Sequence, residues 1–241
     1  MPARSTTEVI LALDVESRNR AESLIEATGD ELLWIKIGLQ SYLRDGPGFI
    51  RDIASQGKKV FLDLKLHDIP NTMAKAIESL ADLPVSMLTI HASAGQVAAT
   101  RCAETMSKFL PNATLLAVTV LTSLDKKSLQ SLGVRRSTED QVVNLACLAV
   151  EAGVDGIVCS PREIRPLRQV LSSEISLVTP GIRLAGSPLD DQKRVMTPAE
   201  AAKAGANYLV IGRPILEAQD PAVALAAIRS ELNSAIEPPT P

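Results

Sequence analysis

The sequence is poor in aromatic residues, histidine and cysteine, and each shortage excludes a class of protein. Phe, Trp and Tyr make up only 2% of the 241 residues, which argues against the stacking platforms that bind single-stranded nucleic acid. Two histidines are too few for a His-rich metal site. Cys102, Cys147 and Cys159 are far apart and have no metal-ligand spacing, so we predict neither a zinc site nor a disulfide framework.

The sequence also lacks a basic excess and a long apolar run. Its formal net charge is -3, so no positive field indicates a nucleic acid or an anionic membrane as a partner. The apolar run near the N-terminus is about six residues long, against roughly 20 for a membrane span. With an ordinary 46% of hydrophobic residues, we expect a globular protein of the reducing cytoplasm.

Eight strand-like apolar runs alternate with helical patterns along the chain. They cover residues 9–15, 33–39, 60–66, 87–92, 114–121, 156–160, 176–179 and 208–212. This alternation is typical of parallel βα units, and the length fits a single (β/α)8 TIM barrel over residues 1–241, with a flexible tail from about residue 236. The main alternative, a doubly wound open sheet, favours a glycine-rich turn after the first strand, and LALDVESRN contains no glycine. Helices are predicted at 71–83 and 161–171, among others.

The stretch FLDLKLHDIPNT, residues 61–72, combines a buried strand with formal charges. Side chains alternate along a strand, so Asp63 and Lys65 share one face and the leucines share the other. An anion and a cation inside an apolar run are costly to bury unless they are paired. By the same alternation, Asp68 falls outside this face.

Further polar residues end the neighbouring predicted strands, including Asp14 and Lys36. The carboxyl ends of barrel strands carry the active site, so we expect two lysines and two aspartates to converge there. A buried ion-pair network that serves only stability is the alternative, although such networks stabilise weakly. A lysine between carboxylates stays protonated and suits a proton donor, and it can stabilise the carbanion left when a substrate loses CO2.

The ends of the last two strands predict a phosphate site. TPGIR ends the seventh strand and IGRP the eighth, and the loops after these strands commonly bind phosphate in TIM barrels. Glycines such as Gly212 allow the backbone to approach an anion, and Arg213 can bind it in bidentate fashion. The loop at residues 182–196 is the expected lid.

DLKLHDIPNT resembles the DxKxxDIPNT signature of the orotidine 5'-phosphate decarboxylase family. LDV, IKIG, VLTS, TPGIR and IGRPI are similar to segments of that family in the same order. The resemblance implies decarboxylation of orotidine 5'-monophosphate without a metal or other cofactor, as the last step of UMP synthesis. Metal-dependent sugar-phosphate enzymes of the wider suprafamily remain an alternative, but they typically carry an acidic residue where this chain has Lys36. A non-catalytic nucleotide-binding protein is a further alternative.

The resemblance also implies a role for each matching residue. Lys65 would protonate C6 of the pyrimidine, Asp63 would lie against the substrate carboxylate, and Lys36 and Asp14 would contact the ribose. The remaining implied positions are Thr122 and Ser123 at the pyrimidine edge, Pro180 in the loop over the base, Arg183, Gln192, Gly212 and Arg213 around the phosphate, and Asp68 and Thr72 reaching the neighbouring site of a homodimer.

Overall fold

Eight parallel strands close into a barrel in a computed structural model that describes residues 7–183 and 196–236. The strands are β1 (Glu8–Ala12), β2 (Trp34–Gly38), β3 (Lys59–Leu66), β4 (Val85–His91), β5 (Thr114–Val118), β6 (Gly156–Val158), β7 (Ser176–Pro180) and β8 (Tyr208–Ile211). Each strand pairs in parallel with the next, and β8 pairs with β1. The predicted TIM barrel is therefore confirmed, and the open sheet is excluded.

Helices follow the strands and cover the outside of the barrel. They are α1 (Arg18–Thr28), α2 (Leu39–Ser55), α3 (Pro70–Glu78), α4 (Gln96–Phe109), α5 (Lys126–Ser131), α6 (Thr138–Glu151), α7 (Ile164–Val170), α8 (Pro198–Ala204), α9 (Arg213–Leu216) and α10 (Pro221–Ile236). Side-chain caps start several of them: Ser17 Oγ accepts from the backbone N–H of Arg20 at α1. Within the described ranges, no helix is both long and apolar enough to cross a membrane.

Some element boundaries differ from those predicted from the sequence. The helix predicted at 71–83 starts at Pro70 and ends at Glu78, because the backbone then tightens: Leu80 and Ala81 donate to residues three positions back instead of four. The helix predicted at 161–171 starts with a 3-10 turn, and α7 covers only Ile164–Val170. The strand predicted at 114–121 stops at Val118, and the one predicted at 156–160 stops at Val158.

Two apolar layers lie on the two faces of the barrel wall. The larger layer packs the outer faces of the strands against the helices. The smaller layer fills the barrel interior and consists of Ile10, Ala12, Trp34, Phe61, Met87, Leu116, Val178 and Val210. Lys36 follows Trp34 by two positions, and Asp63 follows Phe61 by two. Strand alternation therefore places both charged side chains inside the barrel, one step beyond the apolar layer and toward the carboxyl ends.

Candidate active site

A cavity of about 410 Å³ opens at the carboxyl ends of the strands. This volume lies in the range of ligand pockets. Nine of the residues predicted from the sequence line it: Asp14, Lys36, Asp63, Lys65, Thr122, Pro180, Arg183, Gly212 and Arg213. Side chains from β2, β3 and β7 and from the segments after β1, β5 and β8 thus meet in one space.

Alternating charges form a continuous row along part of this cavity. Nζ of Lys36 lies 3.1 Å from both carboxylate oxygens of Asp14 and 3.6 Å from Oδ2 of Asp63. Nζ of Lys65 lies 2.6 Å from the same Oδ2. Each cation therefore has a carboxylate neighbour, and Asp63 joins the two lysines.

Burial increases toward the middle of the row. The side chains of Lys36 and Asp63 are each 9% exposed, whereas those of Asp14 and Lys65 are 48% and 31% exposed. Burial by itself would raise the pKa of Asp63, but attraction to Lys36 and Lys65 and hydrogen bonds from Lys65 and Thr89 outweigh it and lower the pKa below its ordinary value of 3.8. Asp63 is therefore held as an anion beside the ammonium group of Lys65.

The backbone of β3 departs from regular strand geometry at Lys65. Lys65 has a φ of 51°, and no other non-glycine residue of the described chain has a positive φ. The pairing of β3 with β4 also shifts register between Leu62 and Leu66. Thr89 on β4 stands beside this irregularity: its hydroxyl accepts from the backbone N–H of Lys65 at 2.8 Å and donates to Oδ1 of Asp63 at 2.9 Å.

The absence of a side chain at Gly38 leaves space for the ion pair between Asp14 and Lys36. A Cβ at this position would lie 2.7 Å from Oδ1 of Asp14 and 2.9 Å from Nζ of Lys36. Its backbone φ of -89° is open to any residue, so the requirement for glycine here is one of space. Any larger side chain must displace one member of the pair.

A second, cationic part of the cavity comes from the segments after β7 and β8. Gly181 and Arg183 follow β7, and Gly212 precedes the short helix α9, which begins with Arg213. Arg183 is buried, and its Nη1 donates to the carbonyl of Ile182. Two guanidinium groups and two glycines in one cavity are suited to a phosphate group.

A family model described as "Orotidine 5'-phosphate decarboxylase / HUMPS family" matches residues 7–228. The chain belongs to this family. Among curated members, the orotidine 5'-phosphate decarboxylase of Opitutus terrae is 51% identical over 227 residues, which cover 94% of this chain and 99% of that protein. The orotidine 5'-phosphate decarboxylase of Nitrosococcus oceani is 46% identical and covers 95% of this chain and 98% of its own length.

Solved structures agree with this membership of the orotidine 5'-phosphate decarboxylase / HUMPS family. The orotidine 5'-phosphate decarboxylase from Lactobacillus acidophilus superposes with a TM-score of 0.83 at 33% identity, over 94% of this chain and 99% of that one. An uncharacterized conserved protein from Geobacillus kaustophilus gives a TM-score of 0.82 at 32% identity, over 93% and 100% of the two chains. The barrel is therefore shared along nearly its whole length.

Three described residues that resemble family positions do not line the cavity of the single chain. Asp68 is exposed, and its Oδ1 accepts from the backbone N–H of Ile69 at 2.6 Å. Thr72 is exposed on α3. Ser123 is also exposed, whereas its neighbour Thr122 lines the cavity. Gln192 and most of the predicted lid lie outside the described residues.

The two histidines lie side by side next to the charged row. Their ring centroids are 5.4 Å apart, with His67 just past β3 and His91 at the end of β4. Burial, the neighbouring His67 and the Lys65 ammonium lower the pKa of His91, while Asp63 acts in the opposite direction. Within residues 7–183 and 196–236, no group of three or more His, Cys, Asp or Glu residues is arranged to hold a metal ion.

Sequence reasoning missed two residues that shape the site, Thr89 and Gly38. Thr89 is a β-branched residue within the apolar run MLTIH, which is typical of any buried strand. Its position in the strand was the available signal: Thr89 lies two positions before His91, so the two side chains point to the same face of β4. For Gly38 the signal was a glycine at the end of a buried strand, two positions after Lys36, where a close approach is common.

Proposed function

We propose that the protein decarboxylates orotidine 5'-monophosphate to uridine 5'-monophosphate and CO2, with no metal ion or organic cofactor. The observation that carries this proposal is one cavity that combines the row Asp14, Lys36, Asp63 and Lys65 with two arginines. Family membership and the printed names of the relatives support the substrate. The reaction is the last step of de novo uridylate synthesis.

Lys65 is the proposed general acid. The bond between C6 and the carboxylate breaks, CO2 leaves, and the electron pair that remains on C6 takes a proton from the ammonium of Lys65. The amine then regains a proton from water. Its Nζ is held 2.6 Å from Asp63, so the donor is positioned before the charge develops. General acid catalysis of this kind contributes about 10²- to 10⁴-fold in rate.

Asp63 is proposed to act on both the donor and the substrate. It holds Lys65 through Oδ2, and its negative charge lies where the substrate carboxylate would approach. Repulsion between two carboxylates is relieved when CO2 leaves, which favours the transition state over the bound substrate. Stabilisation of the C6 carbanion by the preorganised ammonium is the larger part of the mechanism.

Other cavity residues, together with Ser123 and Gln192, are proposed to bind the rest of the nucleotide. Lys36 and Asp14 offer a donor and an acceptor pair to the ribose hydroxyls, and Thr122, with Ser123 beside it, reads the pyrimidine edge. Pro180 packs near the base. Arg183, Gly212 and Arg213 are proposed to surround the phosphate, and family resemblance adds Gln192, which lies outside the described residues. The binding energy of the phosphate is used to assemble the charged site around the reacting atoms.

The position of Lys36 supports chemistry that is independent of a metal ion. Its ammonium stands between Asp14 and Asp63, at 3.1 Å and 3.6 Å. A divalent cation that used these two carboxylates would meet this charge at close range, and like charges repel strongly in a buried site. The metal-dependent sugar-phosphate reaction of the wider family is therefore the weaker candidate.

A homodimer is proposed to complete each site with Asp68 and Thr72 from the neighbouring copy. Both residues are exposed in the single chain: Thr72 lies in the first turn of α3, and Asp68 lies just before this helix. Ile69 and Val97, on this and the adjacent segment, are 66% and 73% exposed. Large apolar side chains at such exposure are suited to burial in an interface.

The proposed reaction is tested by incubating the purified protein with orotidine 5'-monophosphate in the presence of EDTA and following the loss of substrate absorbance. We expect turnover to uridine 5'-monophosphate at an undiminished rate. Turnover that EDTA abolishes and a divalent cation restores would contradict the metal-independent mechanism. Binding of uridine 5'-monophosphate without any turnover would instead indicate a nucleotide-binding protein.

A further inference from the structure

Thr89 stands alone opposite an irregular segment of β3. The paired residues are Leu62 with Leu88 and Leu66 with Ile90. Three residues of β3, at positions 63–65, therefore face a single residue of β4. Such bulges commonly occur next to active sites, where they re-aim a side chain.

The hydroxyl of Thr89 joins the two ends of this segment. It donates to Oδ1 of Asp63 at 2.9 Å and accepts from the backbone N–H of Lys65 at 2.8 Å. The residue is fully buried, so water is a poor substitute for either bond. One oxygen atom thus contacts both the carboxylate that pairs with Lys65 and the main chain that carries Lys65.

The backbone of Lys65 needs such support. Its φ of 51° lies in the left-handed region, which L-residues with a Cβ rarely adopt. Conformations of this kind persist only where the surrounding structure holds them. The bond from the amide of Lys65 to Thr89 is a direct restraint on this residue.

The second contact fixes the orientation of Asp63. Oδ1 is occupied by Thr89, while Oδ2 lies 2.6 Å from Lys65 and 3.6 Å from Lys36. Rotation of the carboxylate would break the bond to Thr89. The hydroxyl therefore keeps Oδ2 directed at the two ammonium groups.

We infer that Thr89 is a positioning residue for the proton donor: through one hydroxyl it holds the left-handed backbone of Lys65 and the rotamer of Asp63. The inference rests on the proposed function, in which Lys65 delivers the proton. The competing view is that Thr89 only fills space in a buried strand. Valine has the same shape and lacks the hydroxyl, so Thr89→Val separates the two views.

The experiment compares kcat and KM for orotidine 5'-monophosphate in wild type, Thr89→Val and Thr89→Ser. We expect Thr89→Val to lower kcat by about 100-fold, the order of loss that a 1 Å misplacement causes, with KM little changed. Thr89→Ser keeps the hydroxyl and should retain most of the kcat. Thr28→Val is the matched control, because it removes another buried hydroxyl, bonded to carbonyls within α1.

Several outcomes overturn the inference. An unchanged kcat in Thr89→Val, measured well below its melting temperature, would show that the hydroxyl has only a packing role. If Thr89→Val does not fold, Thr89→Ala and Thr89→Ser replace it, and equal kcat values in that pair would contradict the inference.

A crystal structure of Thr89→Val separates this inference from the proposed function. Absence of turnover in the wild type would remove the proposed reaction but not the geometric claim. In that case, a Lys65 that keeps its positive φ and its contact with Asp63 in Thr89→Val overturns the inference. Loss of that conformation supports it.

Discussion

Nζ of Lys65 lies 2.6 Å from Oδ2 of Asp63, the residue two positions earlier on the same strand. In a regular strand, residues two positions apart share one face and lie about 6–7 Å apart along the backbone, a distance that the long side chain of Lys65 spans here. The left-handed backbone at Lys65 and the register shift of β3 accompany this short separation. The ion pair at the centre of the proposed site thus coincides with a local break in strand geometry.

Replacing Lys65 by alanine should remove the proposed proton donor without unfolding the barrel. We expect kcat for orotidine 5'-monophosphate to fall by at least about 100-fold, while the circular dichroism spectrum stays that of the wild type. Lys59→Ala is the matched control, since Lys59 is exposed at the opposite end of β3 and packs over the Trp34 ring. Near-normal turnover in Lys65→Ala would refute the mechanism.

Replacing Arg213 by alanine should act through the phosphate. We expect uridine 5'-monophosphate to bind about 10- to 100-fold more weakly, which corresponds to the loss of a hydrogen bond to a charged group. Uridine, which lacks the phosphate, should bind as it does to the wild type. Calorimetric titration of both ligands measures this, with the exposed Arg51→Ala on α2 as the control. Equal weakening of both ligands would contradict the assignment.

Replacing Gly38 by alanine should separate Asp14 from Lys36, because the new Cβ would lie within 3 Å of both groups. We expect kcat/KM to fall about 10- to 100-fold. Gly48→Ala is the control: it lies in α2, and the new Cβ would meet no other part of the protein within 4 Å, so kcat/KM should stay at the wild-type value. Unchanged kinetics in Gly38→Ala would show that the pair tolerates displacement.

The stability of the protein should depend on pH through His91. Burial, His67 and Lys65 lower the pKa of His91 below its ordinary value of 6.5, so the unfolded chain binds a proton there before the folded protein does. The free energy of unfolding should therefore decrease as pH falls from about 7 to 5. Urea unfolding over this range should show a weaker pH dependence in His91→Gln.

His67→Gln provides the comparison for that measurement. Removing His67 takes away one of the groups that lower the pKa of His91 but leaves burial and Lys65 in place. In His67→Gln, the free energy of unfolding should therefore still depend on pH, but less strongly than in the wild type. If the free energy of unfolding changes with pH equally in the wild type and in His91→Gln, the pH dependence arises elsewhere in the molecule.

The proposed dimer predicts complementation between two inactive variants. We expect Lys65→Ala and Asp68→Ala each to lose activity alone. In a mixed dimer, one site combines the intact Lys65 of one copy with the intact Asp68 of the other. Random pairing makes half of the dimers mixed, so about a quarter of the sites should be active. Refolding the two variants together and assaying turnover measures this, and no recovery would contradict a shared site.

The barrel and much of the charged cavity could be predicted from the sequence, for a local reason. Strand alternation depends on the backbone of each strand alone, so the parity of Lys36 and Asp63 indicated that both point inward. Helix ends were less predictable: residues after Glu78 continue in tight turns, although their apolar pattern with Leu80 and Leu83 is also typical of a helix.

Other features depend on contacts between segments that are distant in sequence. Thr89 looks like any strand threonine until β3 shifts register against β4. The exposed positions of Asp68 and Thr72 give no signal in one chain, because their proposed role requires a second copy. Family resemblance alone pointed to these two residues.

The sequence by itself determined the alternation of strands and helices, the inward face of each strand, and the residues that meet at the carboxyl ends of the barrel. These follow from backbone periodicity and from the cost of burying unpaired charge. The tertiary structure decided the spacing of the charges, the left-handed backbone at Lys65 and the double contact of Thr89. These depend on the register and closure of the barrel, which bring Asp63 and Thr89 together across 26 residues.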